Sequence, residues 1–139
     1  MPKKTKYKKQ HKGSKANKIN KDFSLEFINQ NYLVLKSLDF GRISEKQIET
    51  CRMTINKNLK KFGRLIINIQ ADTPITKKPI EIRMGKGKGA VDKWVCKVRV
   101  GTPLFTIQYN SKAMAINALE AAKIKLPLLT KIITNESND

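Results

Sequence analysis

The chain has 139 residues, enough for one domain of ordinary size. Its 29 Lys+Arg against 11 Asp+Glu leave a formal net charge of +18, far more than solubility requires, and imply a polyanionic partner, either nucleic acid or an anionic membrane. Hydrophobic residues make up 40%, which excludes a disordered basic tail, and no apolar run approaches the roughly 18–20 residues that span a bilayer, so no membrane insertion is expected.

Met1 to Lys21 carry nine lysines and no apolar h-region, so a secretory signal is not expected there, and Arg and Ser are too few for a transit peptide. Cys51 and Cys96 stand 45 positions apart with one histidine in the chain. They fit neither a disulfide scaffold nor a zinc site, and two reduced core thiols are expected. The cations are 24 Lys to 5 Arg, beside 16 Ile and 11 Asn. Phosphate binding does not demand that bias, because Arg is the better bidentate ligand. AT-rich coding would favour all three residues together, a hint of an organellar or AT-rich genome.

The first twenty-one residues form one basic block with Lys3, Lys4, Lys6, Lys8, Lys9, Lys12, Lys15, Lys18 and Lys21, interleaved with Tyr7, His11 and Gly13. Ordering a backbone costs about 1–2 kcal/mol per residue, and this block has almost no apolar area to offset it. It is expected to be disordered alone and to order on a polyanion, where each neutralised phosphate releases a counterion. Phe23, Leu25 and Phe27 alternate with polar residues and predict a half-buried strand. Tyr32 to Leu38 predicts a second strand. Ser44 and Gln47 then have capping-box spacing, and Ile48, Cys51 or Arg52, Ile55, Leu59 and Phe62 follow at helical intervals. A helix is expected over about 45–62, stopped by a left-handed Gly63. Its opposite face carries Lys46, Asn56, Lys57, Lys60 and Lys61.

Leu65 to Ile69 predicts a strand. Pro74 and Pro79 suggest an irregular loop between them, since prolines disfavour sheet interiors. Ile80, Ile82 and Met84 alternate with Glu81 and Arg83 as in a short strand, which runs into Gly85-Lys86-Gly87-Lys88-Gly89. Trp94, Cys96, Val98 and Val100 predict another strand, turned at Gly101-Thr102-Pro103 into a hairpin with Leu104 to Tyr109. Asn110 or Ser111 can cap an Ala-rich helix over about 112–125, and Leu128 to Thr134 predicts a last strand. The tail from Asn135 is polar. Strands and helices mix without a βαβα rhythm, which predicts an α+β domain over 22–134.

The glycine loop is not a P-loop. It alternates strictly, no Ser or Thr follows, and no helix opens after it. A solvated hairpin tip is one reading. The better one has three glycines letting backbone N–H groups approach phosphates while Lys86 and Lys88 bring charge. Catalysis finds little support, because His11 sits in the arm and the carboxylates are scattered among basic residues. Trp94 is expected in the core. Tyr7 lies where no core is available and is a candidate for stacking on a base or sugar.

Arg83-Met84-Gly85-Lys86-Gly87-Lys88-Gly89, with Trp94 five residues on, resembles the signature of the bacterial-type large-ribosomal-subunit protein sixteen family. Pro2 to Gly13 resembles that family's basic opening. Gly41-Arg42-Ile43-Ser44 with Lys46-Gln47-Ile48-Glu49, Pro74 to Pro79, and Ala122 to Pro127 follow in family order, so the resemblance covers about residues 2–134. It implies a hammerhead-type domain with two helices on a mixed sheet and a basic N-terminal extension. It implies no enzyme activity and no cofactor. It also implies a role in the large subunit near the aminoacyl-tRNA and peptidyl-transferase region, in late assembly and tRNA positioning. The implied partners are large-subunit rRNA, tRNA at the aminoacyl site and other ribosomal proteins.

The chain departs from the family pattern at Ile66 and Asn68, where Trp and a basic residue are usual, at Ser14 to Asn17, and at Leu104 to Ile107, so family contacts are not carried over to Asn68 or Ser14. The candidate rRNA-binding residues are the nine arm lysines with Tyr7 and His11, then Arg42, Lys57, Lys60 and Lys61. The loop from Arg83 to Gly89 is the candidate rRNA- or tRNA-facing element. Lys-for-Arg drift on a bacterial pattern points to a mitochondrial ribosome, with an AT-rich bacterium or a plastid as the alternative. A free RNA-binding or assembly factor is the functional alternative.

Overall fold

A computed structural model gives the fold and describes residues 5–13 and 31–134. The strand expected at 23–27 lies outside the described residues. In chain order the elements are β1 (Tyr32–Ser37), β2 (Gly41–Ser44), α1 (Glu45–Leu59), β3 (Gly63–Ile67), β4 (Thr73–Lys77), β5 (Ala90–Val98), β6 (Pro103–Tyr109), α2 (Lys112–Ile124) and β7 (Thr130–Ile133). The expected α+β class is what forms. Its strands, expected in one mixed sheet, divide into two antiparallel sheets, ordered β3-β6-β1-β7 and β2-β5-β4.

Leu33, Val34 and Leu35 of β1 are all buried, because this strand lies inside the larger sheet and is covered on both faces. That is why its sequence is a continuous apolar run rather than an alternation. The Ser44 hydroxyl accepts from the Gln47 N–H at 3.3 Å, and the Gln47 side chain accepts from the Ser44 N–H at 3.0 Å, so the capping box forms as its spacing predicts. Cys51, Ile55 and Leu59 then face the core at helical intervals. Helix α2 buries Ala115, Ala118, Leu119 and Ala122. These mostly small residues let it lie close to α1, and the Cys51 thiol points at the Ala122 carbonyl, 3.7 Å away. While α2 packs on β1, β6 and β7, α1 touches β3 of one sheet and β2 and β5 of the other, so one core joins both sheets. Both cysteines are free and buried in it.

Four expectations are corrected. The helix ends at Leu59, and Lys60, not Gly63, takes the positive φ of 54° while its N–H donates to the Asn56 carbonyl. Phe62 therefore leaves the helical stripe and is half exposed. Gly63 opens β3, where a Cβ would stand 2.9 Å from the Gln108 carbonyl oxygen, so close strand approach selects glycine there. The stretch at 73–77 is a strand despite Pro74, because β4 is the edge of its sheet, where a missing N–H is tolerated. No strand forms at Ile80 to Met84. Strand β5 is already flanked by β2 and β4, and the chain turns at Pro79, whose carbonyl accepts from the Ile82 N–H. Finally, β5 and β6 are not a hairpin. Gly101, at φ +87°, donates to the Ser37 carbonyl and Ser37 to that of Thr102, which hands the chain to β1 in the other sheet.

Candidate nucleic-acid interface

Between Lys77 and Ala90 the chain leaves the sheet as a twelve-residue excursion whose residues 79–88 are all exposed. Three consecutive residues at its tip have positive φ: Gly85 at 106°, Lys86 at 60° and Gly87 at 93°. A Cβ at Gly85 or Gly87 would meet nothing within 4 Å, so backbone conformation, not space, selects glycine there. Gly89 is different. Its Cβ would lie 2.8 Å from the Lys77 oxygen, so the neck of the loop is too narrow for a side chain. Across the neck, the Lys78 ammonium donates to the Gly85 carbonyl. With no side chain at Gly85 or Gly87 and open space around both, a ligand can approach the tip backbone closely.

Residues 5–13 of the arm do not hang free. The Lys9 ammonium donates to the Lys88 carbonyl at 3.1 Å, and the Lys88 ammonium returns a bond to the Gln10 carbonyl at 2.6 Å. Further on, the Arg42 guanidinium donates to the Lys12 carbonyl at 3.1 Å and the Gly13 carbonyl at 3.3 Å. Gly13 has φ +70°, and a Cβ on it would approach the Lys97 ammonium to 3.3 Å. Arg42 and Lys97 are opposite one another in the β2–β5 ladder. Like charges placed so repel, and the arm's carbonyl oxygens accept from Arg42 while Gly13 lies beside the Lys97 ammonium. In these bonds, as in that of Lys78, the cations are held by carbonyls rather than carboxylates. Residues 9–13 are thus held by bonds that leave the charges of Lys9, Arg42 and Lys88 unneutralised.

Among the sequence-predicted residues, Lys9, Lys12, Arg42, Lys88 and the glycine loop come together. Lys6, Lys8 and His11 lie in the same exposed arm segment, with Lys6 5.4 Å from the Tyr7 ring centre. Tyr7 is 65% exposed. Lys3, Lys4, Lys15, Lys18 and Lys21 lie outside the described residues. Lys57, Lys60 and Lys61 are exposed but sit at the other end of α1, Lys57 in its last turn and the other two just beyond it, about 20 Å of helix away from Ser44. Lys57 there complements the helix dipole and Lys60 makes the terminal turn. Sequence reasoning missed Lys78, Lys97 and Gln10. Lys97 was legible as a polar-face strand residue, but its pairing with Arg42 depends on register.

On α1, Glu49 accepts from the Arg52 guanidinium, which holds its carboxyl below the usual range and raises the guanidinium's own pKa. Burial pushes the Cys51 thiol up to about 11, opposed in part by Lys125, and burial likewise raises Cys96. Neither is a nucleophile at neutral pH.

An α+β domain that holds a lysine-rich arm against a cationic glycine loop has the chemistry of a nucleic-acid-binding protein. The family model described as Ribosomal protein L16p/L10e matches residues 2–133, arm and loop included, and the chain belongs to that family. It is a structural protein of the large ribosomal subunit, not an enzyme, and its place is the ribosome, where this family binds rRNA and other ribosomal proteins. Among the described residues, no helix is long and apolar enough to cross a membrane.

Proposed function

We propose that the arm and the 83–89 loop act as one rRNA-binding surface near the aminoacyl-tRNA and peptidyl-transferase region, supporting late subunit assembly and tRNA positioning. The observation that carries this reading is the reciprocal pair of bonds between Lys9 and the Lys88 carbonyl, and between Lys88 and the Gln10 carbonyl. Two segments nearly eighty residues apart thereby present their cations together, as a contact spanning several phosphates requires. Lys6, Tyr7, Lys8, His11, Lys12, Arg42, Arg83 and Lys86 complete the surface, with Lys57, Lys60 and Lys61 as a separate contact at the far end of α1. The Lys, Ile and Asn bias supports a mitochondrial ribosome.

The test is sedimentation of large subunits from cells carrying Lys86→Ala with Lys88→Ala. Incomplete subunits or weakened tRNA accommodation are expected. Subunits that mature and decode normally would assign the loop to a solvated tip. Retention of the unaltered protein on subunits washed at high salt separates a resident component from a departing assembly factor.

A further inference from the structure

The two most exposed large apolar side chains among the described residues, Ile80 and Met84, stand four positions apart, ahead of Ile124 at 83% and Leu129 at 71% elsewhere. Ile80 is 99% and Met84 101% exposed, with Ile82 at 56%, all within five residues on the excursion between β4 and β5. None belongs to the core. Leaving large aliphatic groups in water forfeits the burial that ordinarily stabilises a fold, so a bare cluster of this kind marks a contact. Its surroundings state what kind. Lys78 precedes it, Arg83 lies within it, and Lys86 and Lys88 follow, against Glu81 as the one acid of residues 78–89.

We infer that Ile80 and Met84 form an apolar wedge that seats against the bases and sugars of rRNA while the flanking cations hold the phosphates on either side. The inference rests on the RNA-binding reading above and adds to it the part of the contact that is not charge. Unstacked RNA offers apolar base faces bordered by phosphates, and the loop offers apolar side chains bordered by cations. Inserted aliphatic wedges are an established way for a basic protein to hold a nucleic acid. An anionic lipid surface fits less well. It asks for a broad apolar face such as an amphipathic helix presents, whereas here a few side chains stand on a narrow loop.

The test compares affinity for large-subunit rRNA with affinity for inorganic polyphosphate, which has charge but no bases or sugars, across a salt series. Ile80→Ser with Met84→Ser should weaken rRNA binding at least about tenfold at every salt concentration. It should leave the slope of log affinity against log salt, the polyphosphate affinity and the thermal unfolding unchanged. Lys86→Ala with Lys88→Ala should do the converse, reducing the slope by about two. Unaltered rRNA binding by the serine variant, while the lysine variant behaves as stated, overturns the wedge and leaves the rRNA surface standing. If the lysine variant also binds like the parent, the rRNA role of the loop falls with it. Equal losses on polyphosphate would make the effect one of charge and overturn the wedge. So would binding of the parent, but not the serine variant, to phosphatidylglycerol vesicles, which would give the tip to lipid.

Discussion

Gly89→Ala should loosen the neck of the loop and lower stability by a calculable amount. The new Cβ would lie 2.8 Å from the Lys77 carbonyl oxygen, 2.9 Å from the Lys77 carbonyl carbon and 2.8 Å from Lys78 Cγ. The Lys78 stem can swing away, but the Lys77 backbone is the last pair of the β4–β5 ladder, opposite Ala90. Relief of about 0.5 Å must therefore come from opening that end of the ladder. Losing one or two ladder bonds at about 0.5–1.5 kcal/mol each gives a cost of about 1–2 kcal/mol. For a chain of this size that lowers the melting temperature by roughly 4–8 °C. Gly87→Ala is the comparison, since it meets no atom and costs only the positive φ, about 1 kcal/mol. Urea unfolding gives the two values. Native-state hydrogen exchange should show lost protection near Thr76, Lys77 and Ala90 in the Gly89 variant alone. A Gly89→Ala protein that keeps the parent midpoint and protection would refute steric exclusion as the reason for glycine at the neck.

Ser44→Ala removes the cap hydroxyl while leaving Gln47 its bond to the position-44 N–H, and should cost about 1 kcal/mol, read from the urea midpoint. Leu119→Ala empties a fully buried site where α2 meets the core, and a loss of about 2–5 kcal/mol is expected by the same measurement. The thiols of Cys51 and Cys96 should label slowly in the native protein and at once in denaturant, and stability should fall in alkali. Unfolded thiols ionise first and the folded state binds the extra proton, so the Cys51 contribution is whole below its ordinary pKa near 9 and is lost as pH rises through about 11. An unfolding midpoint independent of pH from 8 to 11 in the parent, matched by Cys51→Ala, would contradict this. Deleting residues 1–13 should flatten the salt dependence of rRNA binding, because Lys6, Lys8, Lys9 and Lys12 are exposed and Lys9 is held by a carbonyl rather than a carboxylate.

Charge and local pattern determined much of this protein in advance. Helix α1 begins where Ser44 and Gln47 say it must, since a capping box is complete within four residues. A net charge of +18 demands a polyanion whatever the fold. The motif order from the arm to Pro127 likewise gave the family from sequence alone. What failed had non-local causes. Pro74 sits in a strand because β4 is a sheet edge, and edge status depends on which other strands arrive. Ile80, Ile82 and Met84 alternate like a strand but have no free ladder beside β5, so their period of two meant exposure instead. Leu104 to Tyr109 reads as a hairpin return, yet Gly101 and Ser37 send it to the other sheet. The joining of Lys9 to Lys88 and of Arg42 to the arm's carbonyls also belongs to the tertiary structure alone. Local sequence encodes which segments are basic, but only packing brings segments this distant within hydrogen-bonding reach, where their charges add on a single surface.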